Sequence, residues 1–486
     1  MCVCCVCVKE RKRVKNNVSV SLKTARCKII YSYLKCATFP ETKMAQNWKK
    51  IFLFFFSTFP LALADSSSSR RATTLTERRV VVDVISNDNA TPLLLKKYGS
   101  TNWQSDSESY AKFPPKTLVF PGTHDSGAYF LTSAFQPGDD ALPEWVASAS
   151  KYAKMVGIPI DELVARWAKT QRQTIFEQLR TGARYLDLRC GWESSSSSWR
   201  IHHALVGVDV SVALEDIASF LRTFKTEVVI VEMSHFYGDP DEDAVEQLAS
   251  EALGALGEFV VPYYGEEEEN FWTRPLEESV KKNQRVLISF ENFNMFNTTE
   301  KHSPFLWPWG VLENGWANTD DIATMKEYNF DIVRAFNNQT TTEEEETTSA
   351  APLTKLSWTL TAKAKTVENS VWPPLKNHHP KTIVDLTLKY ADRFVFEDFV
   401  NLVSKNLNCR FPQVFAVDAW FDDAGASGEE QPPRREGVFW KLAKEVSARQ
   451  NAPEFTKKKC MANDEDDENV KINSRWWWSS SSSTSR

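Results

Sequence analysis

The sequence predicts an α/β fold whose sheet is parallel and long enough to close into a barrel. Two observations carry that expectation. Between residues 117 and 418, short apolar runs bounded by turn residues alternate with amphipathic stretches, the pattern of strands joined by helical crossovers. Polar residues follow the apolar runs at one end only. His124 and Asp125, Asp187 and Arg189, His203, and Asp418 all fall at the C-terminal ends of predicted strands, where barrel enzymes build their sites. Core histidines and aspartates placed for packing alone would scatter over both ends.

The elements follow in order. Thr117–Phe120 reads as a buried strand stopped by Pro121-Gly122, with His124 and Asp125 in the loop beyond it. Pro159-Ile160-Asp161 opens a helix, and Thr170–Gly182 predicts another, with Ile175, Leu179 and Ala183 on one stripe and Gly182 as the stop. Tyr185–Arg189 is a strand whose alternation places Tyr185, Asp187 and Arg189 on one face. Trp199–His203 is a short strand ending in two histidines. Val212–Thr223 is an amphipathic helix, and Glu227–Met233 is the clearest buried strand. Pro240-Asp241 caps a helix ended by Gly257. A helix around Leu276–Lys282 leads into a strand at Arg285–Phe290, Thr382 to about Ser404 reads as mostly helical, Val414–Val417 is the last strand, and Val438–Val446 the last helix.

Composition bounds the class. The chain has 486 residues, 42% of them hydrophobic, and a formal net charge of −6, so a large core is available and nucleic acid is excluded as the main partner. Six of the nine cysteines precede residue 44, and the remaining Cys190, Cys409 and Cys460 do not make a disulfide framework. Residues 1–43 read as a mispredicted or disordered extension. Residues 44–64 read as a signal peptide: Lys49-Lys50, the apolar run Ile51–Leu61, and the small-x-small site Ala62-Leu63-Ala64. The run is short for a membrane span, so the mature chain is expected to have none and to be secreted, cell-surface or lumenal. Sequons at Asn89, Asn297 and Asn338 agree with that route. Residues 65–109 read as a linker or edge segment, 110–452 as the barrel, and 453–486, with Asp464–Glu468 and Trp476–Trp478, as a disordered tail.

Two histidines, an arginine and carboxylates, with no cysteine nucleophile among them, suit phosphoryl transfer without a covalent intermediate. One imidazole takes a proton from an attacking hydroxyl and the other returns one to the leaving oxygen. A guanidinium fork neutralises the phosphoryl oxygens.

The motifs P-G-T-H-D-S-G at 121–127, T-Q-x-x-T-I-x-E-Q-L-x-x-G-A-R-Y-L-D-L-R at 170–189, H-H-x-L-x-G at 202–207 and E-V-V-I-V-E-M-S-H-F at 227–236 resemble the X domain of phosphatidylinositol-specific phospholipase C. The branch most similar is the eukaryotic one holding an X domain alone; W-A-N-T at 316–319 resembles its W-P-N-T, with Ala317 in place of Pro. The resemblance covers about residues 113–450 and implies a distorted (β/α) TIM-type barrel as a single catalytic domain. It implies His124 as general base on the inositol 2-hydroxyl, held by Asp418. His203 is implied as general acid with Asp125 as its partner, His202 being the competing choice. Arg189 is implied on the phosphate, oriented by Asp187, and the first product would be a cyclic inositol phosphate.

The resemblance also bears on cofactors. Calcium-dependent relatives crowd acidic ligands around the phosphate, whereas here Arg189 takes one such place and Ser234 another. A cation needs several oxygen ligands and a fixed guanidinium repels it, so neither calcium nor another cofactor is expected. Glu232 and His235 are weighed as ligands and read as structural. Asp187 and Glu291 are placed as substrate-binding, although Glu291-Asn292 stand where bacterial relatives carry a basic residue near the inositol. The implied partner is phosphatidylinositol or a glycosyl-phosphatidylinositol at a membrane surface. The alternatives are a catalytically silent lipid- or glycan-binding protein on the same fold, and a glycerophosphodiesterase-type barrel, whose metal-binding carboxylate set is not supplied here.

Overall fold

A parallel strand covered on both faces needs apolar residues on both, and the central strands here have them. In chain order the strands are β1 (Phe120–Thr123), β2 (Leu131–Phe135), β3 (Tyr185–Glu193), β4 (Ser198–His203), β5 (Leu205–Asp209) and β6 (Val229–Tyr237). They continue with β7 (Val286–Phe290), β8 (Trp307–Pro308), β9 (Leu312–Glu313), β10 (Leu353–Trp358) and β11 (Val414–Val417). The computed structural model describes residues between 102 and 455; 106–109, 137–145, 147–152, 264–270, 292–304, 340–352, 372–378 and 421–437 are the longer stretches left out. The described residues belong to one compact unit, Asp83–Arg486. The expected extension 1–43, the signal peptide 44–64 and most of 65–109 and 453–486 lie outside them.

Eight strands run parallel and in chain order around the sheet. β1 pairs β3, β3 pairs β6, β6 pairs β7 and β7 pairs β8. β9 pairs β10, β10 pairs β11, and β11 returns to β1. Among the described residues β8 and β9 are the one neighbouring pair without a ladder, so the barrel is open at that junction. β4, β5 and β2 extend β3 as an antiparallel flap outside the barrel.

Alternation sorts the side chains. Val229, Val231 and Met233 of β6 join Leu186, Leu188, Val286 and Ile288 in one apolar cluster. The helices α3 (Val210–Thr223) and α4 (Glu242–Leu256) complete that cluster; they follow α1 (Ile160–Ala168) and α2 (Ile175–Arg180) in the chain. The opposite faces of β3 and β6 carry Tyr185, Asp187, Glu232 and Ser234, which are buried polar groups. Gly122 is needed for the closest strand approach, because a Cβ there would run into the Tyr185 backbone carbonyl.

The sequence expectations are corrected in several places. β1 begins at Phe120 and runs through Pro121-Gly122, while Pro115–Thr117 is a 3₁₀ turn. Pro121 is tolerated because its carbonyl still accepts from Arg184 N–H at 2.7 Å, so only one ladder donor is lost. The helix expected over 170–182 is only Ile175–Arg180, because Thr174 and Glu177 form a reciprocal capping box that starts it there. β3 and β6 run several residues past their expected ends. The stretch 382–404 is two helices, Ile383–Tyr390 and Arg393–Asn401, followed by a π turn. β10 was not apparent in the sequence, since Thr354, Lys355 and Ser357 interrupt its apolar pattern although every residue of it is buried.

One buried ion pair stands at the opposite, N-terminal end of β3. Arg184 and Glu227 are both 0% exposed at their side chains. Arg184 Nε donates to Glu227 Oε2 at 2.9 Å, and Nη1 donates to the Leu179 and Ala183 carbonyls at 2.7 and 2.6 Å. Removing one partner strands the other charge. Glu227→Ala is expected to destabilise the fold by about 3–5 kcal/mol, and Arg184→Met/Glu227→Leu by much less. Urea unfolding of both variants checks this; an equal loss in the two would show that the burden lies in packing rather than in the orphaned charge.

Candidate active site

The chain leaves β1 through Thr123 and turns sharply, with Asp125 in the left-handed region at φ 45°. Such a backbone is costly for a side chain other than glycine and persists only where its surroundings fix it. Ser126 supplies much of that fixing. Its N–H donates to the Asp187 carbonyl at 2.8 Å, its Oγ accepts from Asp187 N–H at 2.8 Å, and Gln178 Nε2 donates to its carbonyl at 2.8 Å. Asp125 N–H donates to Asp187 Oδ2 at 3.2 Å. The turn is therefore bound to β3, and the β1 and β3 residues expected at the site arrive together.

Asp125 is the centre of the cluster. Its carboxylate pairs with the Arg189 guanidinium, lies 3.4 Å from His124 Nδ1 and 3.3 Å from His203 Nε2, and is buried. His124 Nδ1 lies 2.8 Å from Asp418 Oδ1, so the neutral imidazole donates from Nδ1 and keeps Nε2 as the basic nitrogen. Arg189 Nη2 is 2.9 Å from that Nε2 and 3.7 Å from Asp187 Oδ2. His203 Nδ1 donates to the Ala168 carbonyl at 2.6 Å, which leaves Nε2 turned to Asp125. His124, Asp125, Asp187, Arg189, His203 and Asp418 are thus brought together.

The electrostatics differ between the two imidazoles. Burial alone pushes the His124 pKa down, but the Asp125 and Asp418 carboxylates outweigh it and the net direction is up. At His203 burial dominates over Asp125, and the net direction is down. Burial acts against ionised Asp125 and Asp187 as well, yet Arg189 first among the nearby charges holds both below the usual carboxylate range. Asp418 goes up, because burial outweighs the help of His124.

His202 is fully buried, stacked on Tyr237 and packed against Gly191, and burial pushes its pKa to about 4. Between the paired histidines, the geometry therefore selects His203 for the site. Glu232 is buried in an ion pair with Lys355 at 3.1 Å and accepts from the Tyr185 hydroxyl, a structural arrangement beneath the cluster. Glu291, placed as substrate-binding, accepts from the Phe236 N–H through Oε2 at 2.9 Å. His124, Asp125 and Asp187 do present donor atoms within 4.8 Å of one another, the spacing of a cation site. The Arg189 guanidinium contacts all three of these residues.

Two positioning residues were missed. Thr170 Oγ1 donates to the Asp125 carbonyl at 3.1 Å, and Gln171 Nε2 donates to the His124 and Val417 carbonyls at 2.9 and 3.0 Å. They tie the β1 and β11 loops to each other. The Thr174–Glu177 capping box was the available signal, since a helix that starts at Ile175 frees residues 170–173 for such contacts.

No family model matches the chain. Curated relatives do. The chain is 31% identical over 211 residues to PI-PLC X domain-containing protein 2 of Homo sapiens, covering 43% of this chain and 64% of that protein. It is 27% identical over 223 residues to PI-PLC X domain-containing protein 3 of Danio rerio, covering 45% of this chain and 65% of that protein. The matches span just under two thirds of the length of these relatives. The solved phosphatidylinositol-specific phospholipase C from Listeria monocytogenes is 15% identical, with a TM-score of 0.44 over 72% of this chain and 99% of that one. In its motifs, its site geometry and its sequence the chain is similar to the PI-PLC X domain-containing proteins.

Proposed function

We propose that the protein is a phosphodiesterase that cleaves phosphatidylinositol or a glycosyl-phosphatidylinositol, releasing diacylglycerol and a cyclic inositol phosphate, without a metal ion. The convergence of His124 and His203 on Asp125, with Arg189 between them, carries the reading. A pure binding site has no need of two tautomer-fixed imidazoles facing one place. His124 Nε2 takes the proton of the inositol 2-hydroxyl as its oxygen bonds to phosphorus. The bond from phosphorus to the glycerol oxygen breaks, and His203 Nε2 gives that oxygen a proton. Arg189 turns from Asp125 and His124 towards the phosphoryl oxygens, with Asp187 holding its direction.

Substrate charge assists the proton of the general acid. In the free protein His203 is shifted towards the neutral form and His124 towards the charged one, the reverse of what the reaction needs. A bound phosphodiester anion raises the basicity of His203, and drawing Arg189 away uncovers His124 Nε2 for the 2-hydroxyl while making that nitrogen more basic. Metal independence is supported by the guanidinium lying among the three donors that could hold a cation.

We infer from the signal-peptide pattern at 44–64 that the protein acts in the lumen or at the outer leaflet, and the disulfide at Cys409 would fit such an oxidising compartment. Among the described residues no helix is long and apolar enough to cross a membrane. Phe130 and Trp316, 50% and 49% exposed on loops that leave β1 and β9 at the site end, are suited to a lipid surface.

Two outcomes test the reading. Protein from Asp65 onward should release water-soluble inositol phosphate from phosphatidylinositol vesicles in excess chelator, and His124→Ala should lower the rate by about 10²–10⁴-fold. Activity that needs calcium would refute metal independence, and inactivity on free and glycosylated lipid alike would favour the binding-protein alternative. Asp418→Asn removes a carboxylate that raises His124, so the His124 midpoint, followed by NMR titration, should fall. The acid limb of kcat/KM should move to lower pH with it. An unmoved midpoint would mean that Asp418 does not act through His124.

A further inference from the structure

Strand β6 changes its register beside the site. Asp187 pairs with Glu232 and Arg189 with Ser234, but Gly191 pairs with Tyr237, so β6 holds one extra residue between them. This is a β-bulge, a device that re-aims side chains next to functional sites. His235 carries it, in the left-handed region at φ 56°. The consequence is readable in the neighbours. Glu232 and Ser234 lie on the inward face, so strict alternation would turn Phe236 inward too. Instead Phe236 packs with Trp199 and Phe290 in the apolar cluster outside the strands. Tyr237 comes near Arg189, its ring centroid 6.4 Å from those of His202 and His235.

The bulge is built, not loose. Glu291, one residue past β7, accepts from the Phe236 N–H at 2.9 Å and from the His235 N–H. The Ser234 hydroxyl meets His235 Nδ1 at 2.9 Å and fixes the ring. His235 is half-buried and close enough to Arg189, Asp187, Asp125 and Glu232 to feel their charges. Burial, with Arg189 second, lowers its pKa to about 4, so it stands at the site as a neutral imidazole. With Nδ1 held by Ser234, Nε2 of this uncharged ring is left to make one neutral hydrogen bond, as donor or acceptor according to tautomer, which suits a hydroxyl rather than a second phosphate. The two cations of the cluster, Arg189 and Lys355, are each paired with carboxylates.

We propose that His235, aimed by the β6 bulge and clamped through Glu291, contacts a ring hydroxyl of the polyol headgroup while Arg189 takes the phosphate. This rests on the phosphodiesterase reading for the identity of the ligand. Glu291 then acts as a positioning residue.

The test uses His235→Gly and His235→Asn in the chain from Asp65 onward, with inositol 1-phosphate and inorganic phosphate as probes in calorimetry. Glycine accepts the left-handed backbone without strain, so His235→Gly keeps the bulge and removes only the ring. Its melting temperature should equal or exceed that of the wild type. Its affinity for inositol 1-phosphate should fall about tenfold, the scale of one lost neutral hydrogen bond, with inorganic phosphate binding unchanged. His235→Asn, which tolerates the same backbone and restores a polar group, should recover part of the loss. Wild-type affinity for inositol 1-phosphate in His235→Gly, an equal loss for both probes, or no binding of inositol 1-phosphate by the wild type would each overturn the proposal. A binding difference in a protein that cleaves no lipid would sink the phosphodiesterase reading and leave the His235 assignment standing.

Discussion

The site depends on keeping the Asp125 carboxylate ionised in a buried position. An isolated carboxylate there would protonate. Arg189 prevents this, and the two histidines share what charge remains. The backbone then has to hold Asp125 in an unfavourable conformation, which it does through Ser126, Thr170 and the Asp187 carboxylate. Most other features of the site end can be derived from this requirement. β1 and β3 must approach closely at Gly122, β3 must carry Asp187 and Arg189 on one face, and β11 must end in a carboxylate that reaches His124.

Beneath that layer a second set of buried charges supports the first. Lys355 pairs with Glu232 and lowers the cost of ionising Asp187 above them. The same stack explains why β10 carries a lysine in a wholly buried strand. Barrel interiors are packed cores rather than pores, so charges within them must neutralise one another in place.

Much of the fold and of the site was legible in the sequence, for a physical reason. Val229, Val231 and Met233 have no polar interruption, and strands of that kind announce themselves. His124, Asp125, Arg189, His203 and Asp418 stood out because charged groups at the ends of apolar runs need partners. What stayed hidden was set by contacts distant in the chain. Lys355 breaks the pattern of β10, and its partners Tyr185 and Glu232 are 170 and 123 residues away. Thr170 and Gln171 look like a helix start until the Thr174–Glu177 box is recognised. The contact of Glu291 with the β6 amides was hidden because nothing in the sequence shows a bulge in β6 whose amides need an acceptor.

The central claim is a division of labour between two histidines across one carboxylate. Cleavage of an inositol phosphodiester with a p-nitrophenol leaving group, in excess chelator, tests it most directly. A good leaving group needs no proton, so His203→Ala should retain activity within about tenfold of the wild type while His124→Ala loses about 10²–10⁴-fold. Equal losses in the two variants would contradict the assignment of His203 as the acid and His124 as the base.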